Sequence, residues 1–182
     1  MNADPGSHPS PALAALAPGA AEAACEQALR MMSEAVPLAD VLSHLASSAE
    51  RLSPGTTASI LMLDEQGLLR NGASPSLPAD YLAAIDRLAP DPRVGTCAAA
   101  AATGEAVFTP DFCADEKWAE LRHLPLSLGF VGAWSMPIKS ESGKVLGTFG
   151  TYFRERRRPT DEEYRAVATL ASAAALALQT AK

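Results

Sequence analysis

Apolar residues follow two rhythms along this chain, and the switches between them mark its elements. From Ala21 they recur at helical spacing, as Leu29, Met32 and Val36 and then, past Pro37, as Leu38, Val41, Leu42 and Leu45. Apolar positions three and four apart form one helix face. Proline removes a donor and clashes with the preceding turn. The pattern therefore predicts a helical segment broken near Pro37 and ending near Arg51, with Ser53-Pro54-Gly55 as its stop signal. Thr57–Leu63 reads as a strand. Ile60 and Met62 fall on one side and Leu61 and Leu63 on the other, so both faces are apolar and the strand belongs inside a sheet. Asp64-Glu65-Gln66-Gly67 predicts a hairpin turn and Leu68–Ala73 the returning strand.

Past Ser76 the helical rhythm returns, with Tyr81, Leu82, Ile85 and Leu88 on one side until Asp91-Pro92 breaks it. Val94-Gly95-Thr96-Cys97 opens an alanine-rich stretch to Ala102. It is too small-sided for an amphipathic surface helix and is read as a short helix packed against the sheet. A short strand is predicted over Ala106–Thr109. A helix is predicted over Asp115–Leu128, carrying Trp118, Leu121 and Leu124 and weakened or broken at Pro125. Val131–Ile138 and Val145–Phe153 are two further strands around the turn Ser140-Glu141-Ser142-Gly143. Thr160-Asp161-Glu162-Glu163 has the form of a capping box. It starts a last helix to about Gln179 with the stripe Val167, Leu170, Ala171, Ala174 and Leu178. Two hairpins covered by helices make an α+β domain with a central antiparallel sheet.

Residues 1–20 are mostly Pro, Gly, Ser and Ala with no apolar period. They read as a disordered, dispensable tail, which leaves 21–182 as one domain. The prolines there, and the lack of Lys or Arg before Ala12–Ala17, argue against a signal peptide. No apolar run reaches membrane-spanning length. A net charge of −6 offers no basic footprint for nucleic acid. The basic run Arg154–Arg158, interrupted by Glu155, is read as a solvated turn, with a docking patch for an acidic partner as the alternative. Three irregularly spaced cysteines, Cys25, Cys97 and Cys113, fit neither a disulfide framework nor a metal site. They fit a reducing cytoplasm.

Three stretches carry a family resemblance: Val94-Gly95-Thr96-Cys97 with the following Ala98–Gly104, Glu105 and Val107; Trp134-Ser135-Met136-Pro137-Ile138; and Val145-Leu146-Gly147-Thr148-Phe149. Ala58–Asp64, Asp115–Trp118 and Pro159–Glu163 match in kind. In order and spacing they resemble the GAF domains of bacterial sensor histidine kinases and cyclic-di-GMP signalling proteins, over about residues 24–180. Ala98 stands where relatives often have glycine. The resemblance implies a sheet with helices on both faces, one face meeting the terminal helices and the other a small-molecule pocket. It also implies frequent dimerisation. The expected function is a ligand-binding sensory module that signals through terminal dimer helices, and not an enzyme. The chain ends after its last helix without an output domain. It is thus expected to act alone, through a separate histidine kinase or other output protein, or as a fragment. Two alternatives stay open: a thiol-based reductase related to free methionine-sulfoxide reductases, and an adaptor or dimerisation domain with no ligand. The former's Gly-His-Ile-Ala-Cys-Asp-like stretch is missing here; Leu121-Arg122-His123-Leu124-Pro125 stands in its place.

The candidate pocket residues are Cys97, Trp118, His123, Trp134 and Ser135, and the redox candidates are Cys97 and Cys113. Cys97 lies where a helix N-terminus would lower a thiol pKa, or it is a small buried hydrophobe. Cys113 pairs with it only if the loop folds back. His123 is of a type to ligate haem iron or bond a ligand carbonyl, or it is a half-exposed helix residue. The two tryptophans wall a pocket or fill a core. Trp134 and Ser135 alternate along a strand, so only one of them faces the pocket. No metal is expected, and the sequence names no cofactor.

Overall fold

The computed structural model describes residues 19–181, so all but the end of the proposed tail 1–20 lies outside the described residues. Pro37 divides the N-terminal helical segment into two helices, α1 (Ala20–Ser33) and α2 (Leu38–Leu52). Its fixed φ of −53° and missing N–H suit the position before a first turn. Ala35, at φ 57°, reverses the chain between them. β1 (Thr57–Leu63) and β2 (Leu69–Ala73) follow as a hairpin whose turn is tied by Asp64: its carboxylate accepts the amides of Gln66 and Leu68, both at 2.9 Å. Then come α3 (Ala79–Ala84), α4 (Cys97–Thr103), β3 (Val107–Thr109), a 3-10 turn (Glu116–Trp118) and α5 (His123–Ser127). β4 (Gly132–Lys139) and β5 (Val145–Phe153) form the second hairpin, and α6 (Asp161–Thr180) closes the chain.

The five strands lie in the order β2-β1-β5-β4-β3, all pairs antiparallel. The two hairpins are fused by the β1–β5 pairing, with Ser59 opposite Gly150 and Ile60 opposite Phe149. Side chains alternate between the two faces of a strand. Ala58, Ile60, Trp134, Met136, Ile138, Phe149 and Phe153 thus meet α1, α2 and α6 in the larger core. The opposite face is covered by short elements. Tyr81, Phe112, Trp118 and Phe130 pack there on Ala133 and Tyr152, while Ala98 and Ala101 of α4 pack near Leu61 and Leu69.

The capping box forms as its residues predict. The Thr160 hydroxyl accepts the Glu163 amide at 3.1 Å and the Glu163 carboxylate accepts the Thr160 amide at 3.0 Å. Three expectations change. The helix after Ser76 stops at Ala84, and Leu88 lies beyond it. Arg87 turns at φ 64°, its amide donating to the Leu69 carbonyl at 3.0 Å, and Leu88 pairs with the edge of β2. A hydrogen-bonded sheet edge here outweighs another helical turn. The helix predicted over Asp115–Leu128 is two short pieces. Asp115 caps the 3-10 turn by accepting the Lys117 amide. Pro125, lacking an N–H, fits only a first helical turn, so α5 starts at His123. The arginine run is not simply solvated. Arg154, Arg157 and Arg158 lie over the rings of Phe130, Phe153 and Phe108 at 4.7, 4.2 and 4.9 Å, and Arg157 pairs with Glu163 at 2.6 Å. Guanidinium planes stack on aromatic faces readily.

Candidate ligand-binding face

The sheet face away from the terminal helices carries a run of buried uncharged polar groups. Alternation places Ser135 of β4 and Thr148 of β5 there, both fully buried, with Gly150 of β5 directly opposite Ser135. The turn Gly95-Thr96 delivers Cys97, the first residue of α4, onto them. Its thiol and the Ser135 hydroxyl are 2.8 Å apart. The absent side chain at Gly150 makes this approach possible, because a Cβ there would sit 3.1 Å from both the Cys97 sulfur and the Ser135 oxygen. Alongside, the Tyr81 hydroxyl of α3 donates to the Tyr152 hydroxyl of β5 at 2.7 Å, their rings meeting edge to face. On β1, the Ser59 hydroxyl bonds that of Ser74 at 2.8 Å, and Ser74 donates to the Asn71 carbonyl oxygen.

Two members of this set have no hydrogen-bond partner among the protein's groups: the Trp118 indole Nε1 and the Thr148 hydroxyl, both buried. Thr148 lies beside the Cys97 thiol without a well-aligned bond to it. The Trp118 ring closes over Gly95, where a Cβ would come within 3.7 Å of it, and it packs on Phe112 at 4.4 Å between centroids. Burial raises the Cys97 thiol pKa against the pull of its Ser135, Thr148 and Thr96 neighbours. The sequence-based argument for a stabilised thiolate is thus overridden by desolvation, and α4 is too short to offset it. Burial also pushes both tyrosines up, so the face stays neutral.

Of the sequence-predicted residues, Cys97, Trp118 and Ser135 come together here. Trp134 does not. It is buried on the opposite face, in a three-ring cluster with Phe108 and Tyr164 at 5.8 and 5.4 Å between centroids. His123 is exposed at the start of α5, which Pro125 confines to beginning within its first turn. Cys113 is exposed and free, and Cys97 bonds Ser135 instead. Sequence reasoning did not single out Tyr81, Thr148 and Tyr152 as a set. Only Thr148 lay within a quoted motif, and the two tyrosines are 71 positions apart. Their one signal was polarity at buried strand and helix positions. Elsewhere, an open groove of about 610 Å³ runs between the hairpin turns and the ends of α2 and α6, lined by Met62, Leu146 and Leu178 with Arg70 and Lys144 at its rim. Among the described residues no three His, Cys, Asp or Glu side chains cluster, and no helix is long and apolar enough to cross a membrane.

This architecture, a five-stranded antiparallel sheet with terminal helices on one face and short helices over a polar strip on the other, is that of a GAF domain. The family model for the GAF domain matches residues 35–179, and the chain belongs to that family. It is 35% identical over 152 residues to the methyl sulfide methyltransferase-associated sensor of Methanosarcina acetivorans. That match covers 83% of this chain but only 15% of the sensor, so the chain spans a small part of that relative's length. A domain assigned to a two-component sensor histidine kinase of Sinorhizobium meliloti superposes with a TM-score of 0.67 at 24% identity, over 79% of this chain and 92% of that one. The free methionine-R-sulfoxide reductase of Neisseria meningitidis, in complex with its substrate, superposes with a TM-score of 0.68 at 15% identity, over 98% and 96%. At these identities the two structures share the fold with this chain.

Proposed function

We propose that this domain is a sensory module. A small molecule binds between the polar sheet face and the covering layer α3–α5, and the change is passed through the sheet to α1, α2 and α6. The observation that carries this is the buried strip of uncharged donors and acceptors around Cys97, Ser135 and Thr148, with the Trp118 indole N–H beside it lacking a partner. The helix-packed face carries one such buried hydroxyl, Thr151, whereas this face carries Ser59, Ser135 and Thr148, and each unpartnered buried polar group costs about 1–3 kcal/mol. The sensor name of the 35%-identical relative points the same way. Binding that favours one arrangement of the short helices shifts their population, and only differential affinity can do so. Output passes through a homodimer of the terminal helices to a separate kinase or other output protein, in a cytoplasmic setting.

The test is native mass spectrometry and an absorption spectrum on the full chain purified without denaturation. A stoichiometric co-purifying species lost on denaturation is the expected result. A clean apo mass under all growth conditions favours the adaptor reading instead. The reductase reading, kept in view by the shared fold, has its own assay. Thiol-dependent turnover of free methionine sulfoxide that Cys97→Ser abolishes would overturn the non-enzyme assignment, and no turnover is expected. A thiol whose pKa is raised by burial is a poor nucleophile at neutral pH.

A further inference from the structure

We infer an internal hydration site where β5, the end of α2 and the start of α6 meet: one water molecule that accepts a hydrogen bond from the Thr151 hydroxyl and donates to the hydroxyl oxygens of Ser53 and Thr56. This site lies on the helix-packed side of the sheet, apart from the candidate ligand-binding face. Thr151 stands opposite both Ala58 and Trp134 in the middle of that side. It is 5% exposed, and its hydroxyl has no partner among the protein's groups. Together with Ser53, Thr56 and Glu163 it lines a small cavity of about 10 Å³, bounded by Trp134 and by apolar residues of α2 and α6. That is room for one water and for little else.

The free donors and acceptors around the cavity decide what it holds. The Glu163 carboxylate is already full. One oxygen accepts Arg157 and the Thr160 amide, and the other accepts Arg157 and Ser53. A carboxylate has about four acceptor sites, so none is left over. Ser53 gives its only hydroxyl proton to Glu163, and Thr56 gives its own to the Ser53 carbonyl at 2.6 Å. Both hydroxyl oxygens keep lone pairs that no donor among the described residues takes. Thr151 is the reverse case, because its proton has no acceptor. The cavity is thus lined by two free acceptors and one free donor. Water has two protons and two lone pairs and answers all three at once. A buried water with about three such bonds is the usual kind. Arg157 balances the Glu163 charge, so a cation of similar size finds no net negative charge to hold it. Through this water, segments far apart in sequence meet at one point: β5 by Thr151, the turn after α2 by Ser53 and Thr56, and the cap of α6 by the bond from Ser53 to Glu163.

A high-resolution crystal structure of the full chain and the Tm of Thr151→Val test this together. The wild type is expected to show a water peak within hydrogen-bond distance of Thr151 Oγ1 and of the Ser53 and Thr56 hydroxyl oxygens. In Thr151→Val, which keeps the shape and removes the donor, the peak is expected to be lost. The Tm of that variant is expected to fall by about 2–4 °C, the shift that one hydrogen bond makes in a chain of this size. The sign is diagnostic. Valine suits a strand at least as well as threonine, and replacing a hydroxyl that truly lacks a partner raises stability. An unchanged or raised Tm therefore overturns the inference, with or without crystals of the variant. So does a wild-type cavity without a peak, or a peak that bonds Glu163 and not Thr151. A peak that stays at full height in Thr151→Val overturns the part given to Thr151.

Discussion

Glu163 joins three parts of the molecule through one carboxylate. It accepts the Thr160 amide at the start of α6, both guanidinium nitrogens of Arg157 at 2.6 and 3.0 Å, and the Ser53 hydroxyl at the end of α2. Burial acts to raise its pKa, but these donors outweigh it and bring it down to about 2. A folded-state pKa below the unfolded value means stability that is present above pH about 4.5 and lost as pH falls toward 2. The contribution is on the order of 2–3 kcal/mol, less than the ~3.5 kcal/mol that about 1.4 kcal/mol per pKa unit gives, because solvent reaches and screens part of the site. Glu163→Gln is expected to flatten the acid limb of a stability–pH profile measured by urea unfolding. An unchanged limb would show that the carboxylate is not what acid removes. Trp134, 1% exposed and clustered with the rings of Phe108 and Tyr164, is the bulkiest of the fully buried side chains among the described residues. Trp134→Ala is expected to cost about 3–5 kcal/mol in denaturant unfolding. The cysteines sort by environment: Cys113 is exposed, while burial raises the thiol pKa of Cys97 and of Cys25, whose sulfur bonds the Thr169 carbonyl. Iodoacetamide at mildly alkaline pH is expected to label Cys113 first by peptide mass mapping. Faster labelling of Cys97 would reverse the account of its environment.

Among the elements, α6 shows how much a partner inside the chain changes a reading. From the sequence α6 is apolar on more than one side, with Ala168, Ala175 and Leu176 outside the stripe that holds Ala171 and Ala174, and a second molecule is the expected cover for the surplus. In the structure α1, α2 and the sheet all pack on α6. Ala171, Ala173, Ala174, Ala175 and Ala177 are buried within one chain. What stays open is narrower. Cys25 meets Thr169 and Met32 meets Thr180, so α1 and α6 run parallel, and Leu29 and Leu176 sit at matching levels, 48% and 45% exposed. That pair is the surface proposed for the two-fold contact. Leu29→Glu with Leu176→Glu is expected to give a folded monomer by light scattering and circular dichroism. Ala171→Glu with Ala174→Glu is expected to unfold the domain, because it places two charges in the core. A double leucine variant that stays dimeric would move the interface elsewhere, and a wild type monomeric at tens of micromolar would remove it.

Across the whole molecule, the terminal helices and the polar face lie on opposite sides of one sheet, so any signal must cross it. β4 and β5 present Trp134, Met136 and Phe149 to the helices, and Ser135, Thr148 and Tyr152 to the candidate site. The amino-acid sequence by itself determined the parts whose cause is local. These are the strands with apolar faces at Thr57–Leu63 and Val145–Phe153, the proline break at Pro37 and the Thr160–Glu163 cap. The motif spacing that marks a GAF domain belongs with them. Each depends on a residue and its neighbours within a turn or a hairpin, where propensity and periodicity act directly. Only the tertiary structure decided which strands meet and what faces what. The β1–β5 pairing joins residues about 90 positions apart. It sends Trp134 to the helices and Ser135 to Cys97, and it brings Tyr152 within reach of Tyr81. Period-two alternation says that neighbours on a strand face opposite ways, but not which face is buried under which layer. The same long-range contacts decided between the two readings of Cys97 in favour of a thiol whose pKa burial raises, because desolvation depends on everything packed around the sulfur and not on its place at a helix start.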